Sequence, residues 1–139
     1  MSWEVEYTDE FGDWWTALDE AEQESVAASV GLLEARGPQL GHPHSSAIAS
    51  SRHGHMRELR VQHKGRPYRV FYAFDPRRMA MLLIGGDKTG DDRFYERMVP
   101  LADALYDDHL LTLSNEDDAH GKEVRGSSGQ DARGGPPSR

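Results

Sequence analysis

Residues 56–84 constrain the fold most, because three strand patterns follow one another there with only short turns between them. The strand patterns cover residues 56–61, 68–74 and 79–84, and the turns are QHKGRP and DPRR. Short Gly- or Pro-containing turns between such runs are typical of hairpins, so the three strands are predicted to form an antiparallel meander. The third run, MAMLLI, is almost wholly apolar, which indicates a strand buried on both faces.

The remaining patterns predict one more strand and three helical regions. Residues 3–7 alternate apolar and acidic side chains, as in a half-buried strand. Helical spacing then follows in residues 9–18, 19–36 and 91–109. Thr8-Asp9 begins the first helix and Gly37-Pro38 ends the second. Pro100 should kink or divide the third. The predicted order is β-α-α-β-β-β-α, an α+β fold with an antiparallel sheet, the helices packed on one face and the other face open.

Length and composition favour a single cytoplasmic domain. The chain has 139 residues and no cysteine, which suits a reducing compartment, and no window approaches the about 18 apolar residues of a membrane span. No charged-then-apolar leader begins at Met1, so an unexported protein is expected. We predict a domain over residues 1–112 and a disordered polar tail over 113–139, where Gly, Ser and charged residues dominate.

The net charge of −8 hides a basic middle segment. Residues 56–98 carry ten Lys/Arg against six acids, which gives +4, whereas residues 1–55 carry two against ten. Phosphate attraction depends on such local patches more than on total charge. The basic segment therefore allows a nucleic-acid site on an otherwise acidic protein.

A long loop over residues 37–55 contains four of the seven histidines, His42, His44, His53 and His55. The two-residue spacing within each pair makes a histidine-only metal site conceivable, but cysteine ligands and a rigid frame with supporting partners are not visible. Solvated loop histidines are the favoured interpretation, and neither a metal nor another cofactor is predicted.

Four side chains are predicted to meet on the open sheet face. Side chains alternate along strands, so Arg60 and Arg69 share a face if their apolar neighbours face the helices. Lys88 leaves the end of the next strand, and Tyr95 follows seven residues later on a helix. Other cations of the basic segment, predicted to bind RNA, are Arg57, Lys64, Arg66 and Arg93.

This set suits cleavage of RNA by its own 2′-hydroxyl. Arginine forks match phosphate oxygens and would stabilise the transition state. Proton transfer would fall to Lys88, Tyr95 or a histidine, and cationic neighbours would have to move the pKa of whichever group acts toward neutrality. Plainer interpretations remain open: the arginines could be solvated or paired with Glu58, Lys88 a turn residue, and Tyr95 a packing residue. The tryptophans Trp3, Trp14 and Trp15 are predicted to line the core or a groove rather than to stack on bases.

Several stretches resemble the phage-derived branch of the RelE/HigB toxin superfamily: SRH at 51–53, MRELR at 56–60, RPYRV at 66–70, AFDPRR at 73–78 and GGDK at 85–88. The likeness covers residues 3–112. It implies a metal-independent, ribosome-dependent mRNA endoribonuclease, with catalytic positions at Arg60, Arg69, Lys88 and Tyr95. RelE has an arginine directly after the lysine, where this chain has Thr89.

The resemblance also implies partners. Such toxins are expressed with a small antitoxin, in this branch commonly a helix-turn-helix protein, so DNA would be reached only through the antitoxin, and no membrane partner is expected. The rival hypothesis is a catalytically degenerate binding module that only pairs with a regulator, which Thr89 and the net acidity favour. The nuclease hypothesis fails if Arg69 and Lys88 lie on opposite sides of the molecule, or if either is buried in an internal ion pair.

Overall fold

The computed structural model describes residues 2–120 as five strands and three α-helices. In chain order these are β1 (Val5–Tyr7), α1 (Asp9–Ala17), α2 (Glu20–Arg36), β2 (Ser45–Ala47), β3 (Arg57–His63), β4 (Arg66–Phe74), β5 (Ala80–Asp87) and α3 (Phe94–His120), with a 3₁₀ turn at Gly37–Gln39 after α2. The predicted α+β class is confirmed. Residues 121–139, most of the predicted polar tail, lie outside the described part.

The sheet has the order β1-β5-β4-β3-β2, and its centre is the predicted meander of β3, β4 and β5. Two features differ from the prediction. The first strand pairs in parallel with β5, so the sheet is mixed rather than wholly antiparallel. The short strand β2 adds an edge next to β3 in a segment interpreted as loop, because three residues of Ser-Ser-Ala carry no alternating apolar signal.

The first helix begins at the capping residue that the sequence indicates, and the second begins at the predicted boundary, where the structure adds a further cap. Thr8 Oγ1 accepts a hydrogen bond of 2.9 Å from the backbone N–H of Phe11. At the start of α2, Asp19 and Glu22 form a reciprocal capping box. Val26, Val30 and Leu33 lie on the buried face of α2 and belong to the core.

The helices cover both faces of the sheet, so the prediction of one covered face is wrong. Helices α1 and α2 pack on the face that carries Leu59, Val61 and Val70. Helix α3 packs on the opposite face, over Phe71, Ala73, Met81 and Leu83. Both faces of β4 and β5 are apolar, and each needs a cover to exclude water.

Helix α3 is longer than predicted and passes through Pro100 without ending. Proline supplies no N–H to the preceding turn, which costs a helix one hydrogen bond. Val99, Ala102 and Leu105 nevertheless pack against the sheet on both sides of this position. Tertiary contacts therefore keep the helix continuous, and it extends beyond His109 to His120.

Gly85 and Gly86 belong to β5, which continues beyond the predicted strand of residues 79–84. A Cβ on Gly85 would overlap the indole of Trp14, and a Cβ on Gly86 would lie 2.9 Å from the ring of Phe94. Glycine at these positions lets one aromatic ring from each helical layer lie directly on the strand backbone.

Candidate active site

The site is built around Glu58, a carboxylate near the start of β3 that is almost fully buried. The register of β3 and β4 sets Arg60 directly opposite Arg69. Since Glu58 precedes Arg60 by two residues, the three side chains share the α3 face of the sheet. The predicted convergence of the two arginines is therefore present, but a carboxylate lies between them.

Both oxygens of Glu58 are occupied. Oε1 accepts a hydrogen bond of 2.7 Å from the phenol of Tyr95 and lies 3.4 Å from Nε of Arg69. Oε2 accepts a hydrogen bond of 2.9 Å from Ser46 and lies 3.3 Å from Nη1 of Arg60. These groups offset the loss of hydration that burial imposes on a carboxylate.

Arg69 is held in an internal ion pair. Its side chain is 6% exposed, and that of Glu58 is 5% exposed. Nη1 of Arg69 donates to the carbonyl oxygen of Tyr68 at 3.1 Å, whereas Nε lacks a partner of good hydrogen-bond geometry. This internal ion pair overturns a nuclease in which Arg69 is free to bind phosphate, and the residue could bind a phosphate only if its pair with Glu58 opened.

Tyr95 does not have the lowered pKa expected of a phenol among cations. Burial raises its pKa, and the hydrogen bond to Glu58 raises it further, while the hydrogen bond and charge of Arg69 act in the opposite direction. The net pKa lies above the ordinary value of 10. The phenol therefore stays protonated at neutral pH, which suits a proton donor and not a base.

Lys88 lies beside Tyr95, with its ammonium nitrogen 5.7 Å from the ring centroid. Its backbone N–H donates to the carbonyl oxygen of Pro67 at 2.9 Å, which ties the loop after β5 to the β3–β4 hairpin. The next residue, Thr89, donates its hydroxyl to Asp87 Oδ1 at 2.6 Å and so stabilises the same loop. All four predicted catalytic residues thus adjoin one region of the α3 face.

The four predicted RNA-binding cations do not join this cluster. Arg57 and Arg66 alternate with Glu58 and Arg69 along their strands and face the side of α1 and α2. Arg66 is engaged with Glu22 at 3.3 Å and Asp87 at 3.1 Å. The other two are exposed, Lys64 in the hairpin turn and Arg93 before α3.

Two members of the cluster were not predicted as site residues. Glu58 entered the sequence argument only as an ordinary partner for the arginines, although its two-residue spacing from Arg60 places both on one face. Ser46 carried no signal, because it lies in the segment interpreted as loop. Its position opposite Glu58 comes from the pairing of β2 with β3.

The loop histidines have ordinary partners where contacts are described. Nε2 of His53, for example, lies 2.8 Å from Oδ1 of Asp107. Across residues 2–120, no group of three or more His, Cys, Asp or Glu side chains is arranged to hold a metal ion. Within the same residues, no helix combines the length and apolar character needed to cross a membrane.

The α+β fold and the cluster of cationic side chains on one sheet face agree with the resemblance that the sequence shows, and comparison with known families tests it. Residues 13–107 match the model of the family described as "Phage derived protein Gp49-like". The chain therefore belongs to the Gp49-like, phage-derived family.

Two relatives in Mycobacterium tuberculosis carry names that present them as candidate toxins. The chain is 42% identical to HigB3 over 100 residues, which cover 71% of this chain and 86% of HigB3. It is 35% identical to HigB2 over 115 residues, which cover 81% of this chain and 57% of HigB2. The chain thus spans little more than half of HigB2, and the resemblance to the HigB-like branch is confirmed.

Proposed function

We propose that this chain is the toxin of a type II toxin–antitoxin pair and a metal-independent endoribonuclease that cleaves mRNA on the ribosome. The observation that carries the proposal is the convergence of Arg60, Arg69 and Tyr95 on Glu58, with Lys88 adjacent. The similarity to HigB2 and HigB3 supports the toxin role.

The internal ion pair of Arg69 changes the chemistry that the sequence suggested. A carboxylate among the cations supplies the base that arginine cannot supply. In the proposed reaction, Glu58 accepts the proton of the 2′-hydroxyl, whose oxygen forms a bond to phosphorus. The bond from phosphorus to the 5′-oxygen breaks, and that oxygen takes a proton from Tyr95.

Phosphate binding requires the cluster to rearrange. An incoming phosphate competes with Glu58 for the two guanidiniums, and Arg60, with 32% of its side chain exposed, is the accessible one. Once Arg60 turns to the phosphate, Oε2 of Glu58 loses its cationic partner and can accept the proton of the 2′-hydroxyl. Binding of RNA would thus help to prepare the base, and the requirement for a 2′-hydroxyl makes RNA rather than DNA the substrate.

The second candidate is a non-catalytic binding module of the same fold that only pairs with a regulator. The contacts of Glu58 also favour this candidate, because Arg69 and Tyr95 are already paired with that buried carboxylate. Thr89 and the net charge of −8 also favour it. Cleavage of RNA separates the two candidates.

The partners follow from the toxin role. We propose that the protein acts in the cytoplasm, that an antitoxin of the helix-turn-helix type holds it inactive, and that contact with DNA occurs only through that antitoxin. Messenger RNA on the ribosome, with contacts to ribosomal RNA, is the proposed target.

The decisive experiment expresses the full chain from an inducible promoter without an antitoxin, and follows growth and the 5′ ends of cellular mRNA. We expect growth arrest with new mRNA ends. Glu58→Gln, Lys88→Ala and Arg69→Ala should each lower cleavage about a hundredfold, the usual lower range for lost acid–base or charge stabilisation. Arg36→Gln, an exposed cation on α2, is the matched control.

Thermal unfolding of each purified variant identifies loss of fold, which matters most for the buried Arg69. Full toxicity of folded Arg69→Ala and Lys88→Ala would refute the site assignment. Growth arrest without new mRNA ends would instead favour the binding module.

A further inference from the structure

A cavity of about 450 Å³ opens on the molecule away from the Glu58 cluster. It is lined by Trp3, Arg57, Arg78, Phe74, Asp75 and His55, among others. Arg57 and Glu58 are neighbours on β3 and face opposite sides of the sheet. The cavity therefore forms a second polar and aromatic site that the cleavage chemistry does not use.

The indole of Trp3 is held in a fixed place at this cavity. The backbone N–H of Trp3 donates to the carbonyl oxygen of Glu34 at 2.8 Å, and Phe74 meets the indole edge-on at a centroid distance of 5.6 Å. The indole also lies against Gly37, where φ is +59° and an added Cβ would overlap the ring. Helix α2, its terminal glycine and β4 together position the indole as a rigid aromatic surface.

Two guanidiniums accompany the indole without a carboxylate partner. Arg78 lies with its guanidinium carbon 5.6 Å from the Trp3 ring centroid, and Nε of Arg57 donates to Ser45 at 3.0 Å. In residues 2–120, neither arginine forms an ion pair. Both guanidiniums thus keep donors for an anion.

The carboxylate at the cavity, Asp75, does not cancel these charges. Its side chain is fully buried, and Oδ2 accepts hydrogen bonds from Arg77 at 2.7 Å and from His109 at 2.8 Å. Its other oxygen accepts from the backbone N–H groups of Arg77 and Met79. Both oxygens of Asp75 are therefore already engaged, and the cavity presents an aromatic surface with two arginines that have no carboxylate partner.

We propose that this cavity binds one nucleotide unit of single-stranded RNA, with the base against Trp3 and the phosphate on Arg57 and Arg78. Aromatic rings accept any base by stacking, and guanidinium forks match phosphate oxygens. Arg78 is exposed, so its guanidinium can turn from the indole to the phosphate. An acidic peptide would use the cations but would leave the fixed indole without a planar partner.

The cavity and the Glu58 cluster lie on either side of the edge strand β2, so a single strand of RNA could reach both. Ala47 lines the cavity, whereas its neighbour Ser46 donates to Glu58 on the other side of the sheet edge. An RNA that crosses the edge at β2 could place one nucleotide in the cavity while a phosphate several nucleotides away lies at Glu58. The RNA identity of the ligand rests on the proposed function, but nucleotide binding can be measured without cleavage.

The test measures binding by calorimetry on the full chain, using adenosine monophosphate, adenosine, inorganic phosphate and a short oligoribonucleotide methylated on its 2′-oxygens to prevent cleavage. The monophosphate and the oligonucleotide should bind more tightly than adenosine or phosphate alone. Arg78→Asn and Trp3→Leu should each weaken both about tenfold or more, in line with the loss of one stacked base or one charged contact. Asn is chosen because it tolerates the positive φ of 69° at this position.

Arg36→Gln, an exposed arginine at the end of α2, should leave the affinities unchanged. Affinities that do not respond to Arg78→Asn would overturn the proposal, as would an acidic peptide that displaces the oligonucleotide at equal concentration. If the protein binds the oligonucleotide through Arg78 but cuts no mRNA, the nucleotide site stands and the nuclease proposal fails. If the protein cuts mRNA but binds nucleotides independently of Trp3 and Arg78, the nuclease proposal stands and the nucleotide site fails.

Discussion

The phenolic hydroxyl of Tyr95, in the first turn of α3, donates a hydrogen bond of 2.7 Å to Oε1 of Glu58, near the start of β3. This bond joins the long helix to the sheet at a buried carboxylate that also neutralises Arg69 at 3.4 Å. The same contacts therefore determine how α3 is anchored and which proton-transfer groups are available on this face.

The coupling of Tyr95 and Glu58 can be measured as a double-mutant cycle. Glu58→Gln should lower the free energy of unfolding by about 3 kcal/mol, because it leaves the guanidinium of Arg69 buried without a counter-charge. Tyr95→Phe should cost about 1–2 kcal/mol for the lost hydrogen bond. Urea denaturation should show the double variant losing less than the sum of the two, whereas strict additivity would mean that the bond contributes nothing to stability.

Gly85 should not tolerate a side chain. Gly85→Ala places a Cβ inside the indole of Trp14, so we expect a loss of about 1–3 kcal/mol in the free energy of unfolding, as for an overpacked core. Gly31→Ala is the matched control, because that helical position has open space for a Cβ. It should instead stabilise the protein by about 0.5–1 kcal/mol. Equal melting temperatures for the two variants would contradict the close packing of Trp14 on β5.

Asp75 should make stability depend on pH at the acid end. Burial alone raises the pKa of Asp75, but hydrogen bonds from His109 and Arg77 outweigh it and lower the pKa from 3.8 to about 2. A lowered folded-state pKa adds stability above the unfolded value, and this contribution is lost as the pH falls from about 4 to about 2.

The measurement compares the parent protein with Asp75→Asn by urea denaturation across this range. The part of the difference in unfolding free energy between the parent and Asp75→Asn that comes from ionisation of Asp75 should be constant near neutral pH. It should shrink by about 2 kcal/mol toward pH 2. Asp92→Asn, an exposed carboxylate before α3, provides the control. A difference between parent and Asp75→Asn that does not change with pH would show that the charge of Asp75 is not the stabilising feature.

The phenol of Tyr95 should resist ionisation. Its pKa is raised by burial and by the hydrogen bond to Glu58, and lowered by Arg69. The ultraviolet difference between the parent protein and Tyr95→Phe should therefore show no phenolate signal up to about pH 10. Arg69→Gln should move the onset to still higher pH. A Tyr95 signal near neutral pH would remove its role as a proton donor and make it a candidate base.

Local patterns predicted the local structure well. The turns after residues 61 and 74 produced the hairpins of β3, β4 and β5, and the cap at Thr8 began α1. These signals depend on neighbours within a few residues, such as a hydroxyl that accepts from a nearby N–H. The shared face of Arg60 and Arg69 also follows from alternation alone.

Long-range pairing decided what local patterns did not. Residues 3–7 show a strand, but nothing in them specifies a parallel partner 75 residues away at Ala80. The apolar run of β5 indicated two buried faces, yet it did not show that α3 covers the second one. Ser46 entered the cluster only because the edge strand β2 lies beside Glu58.

The chain's own order of residues thus determined β1, the β3–β5 meander, the starts of α1 and α2, the α+β class and the shared face of Arg60 and Arg69, because these depend on spacing along the backbone. The tertiary structure decided that a buried carboxylate occupies the centre of those cations and that Tyr95 keeps its proton. Burial and charge balance are properties of the space around a side chain, and that space is filled by elements distant in sequence.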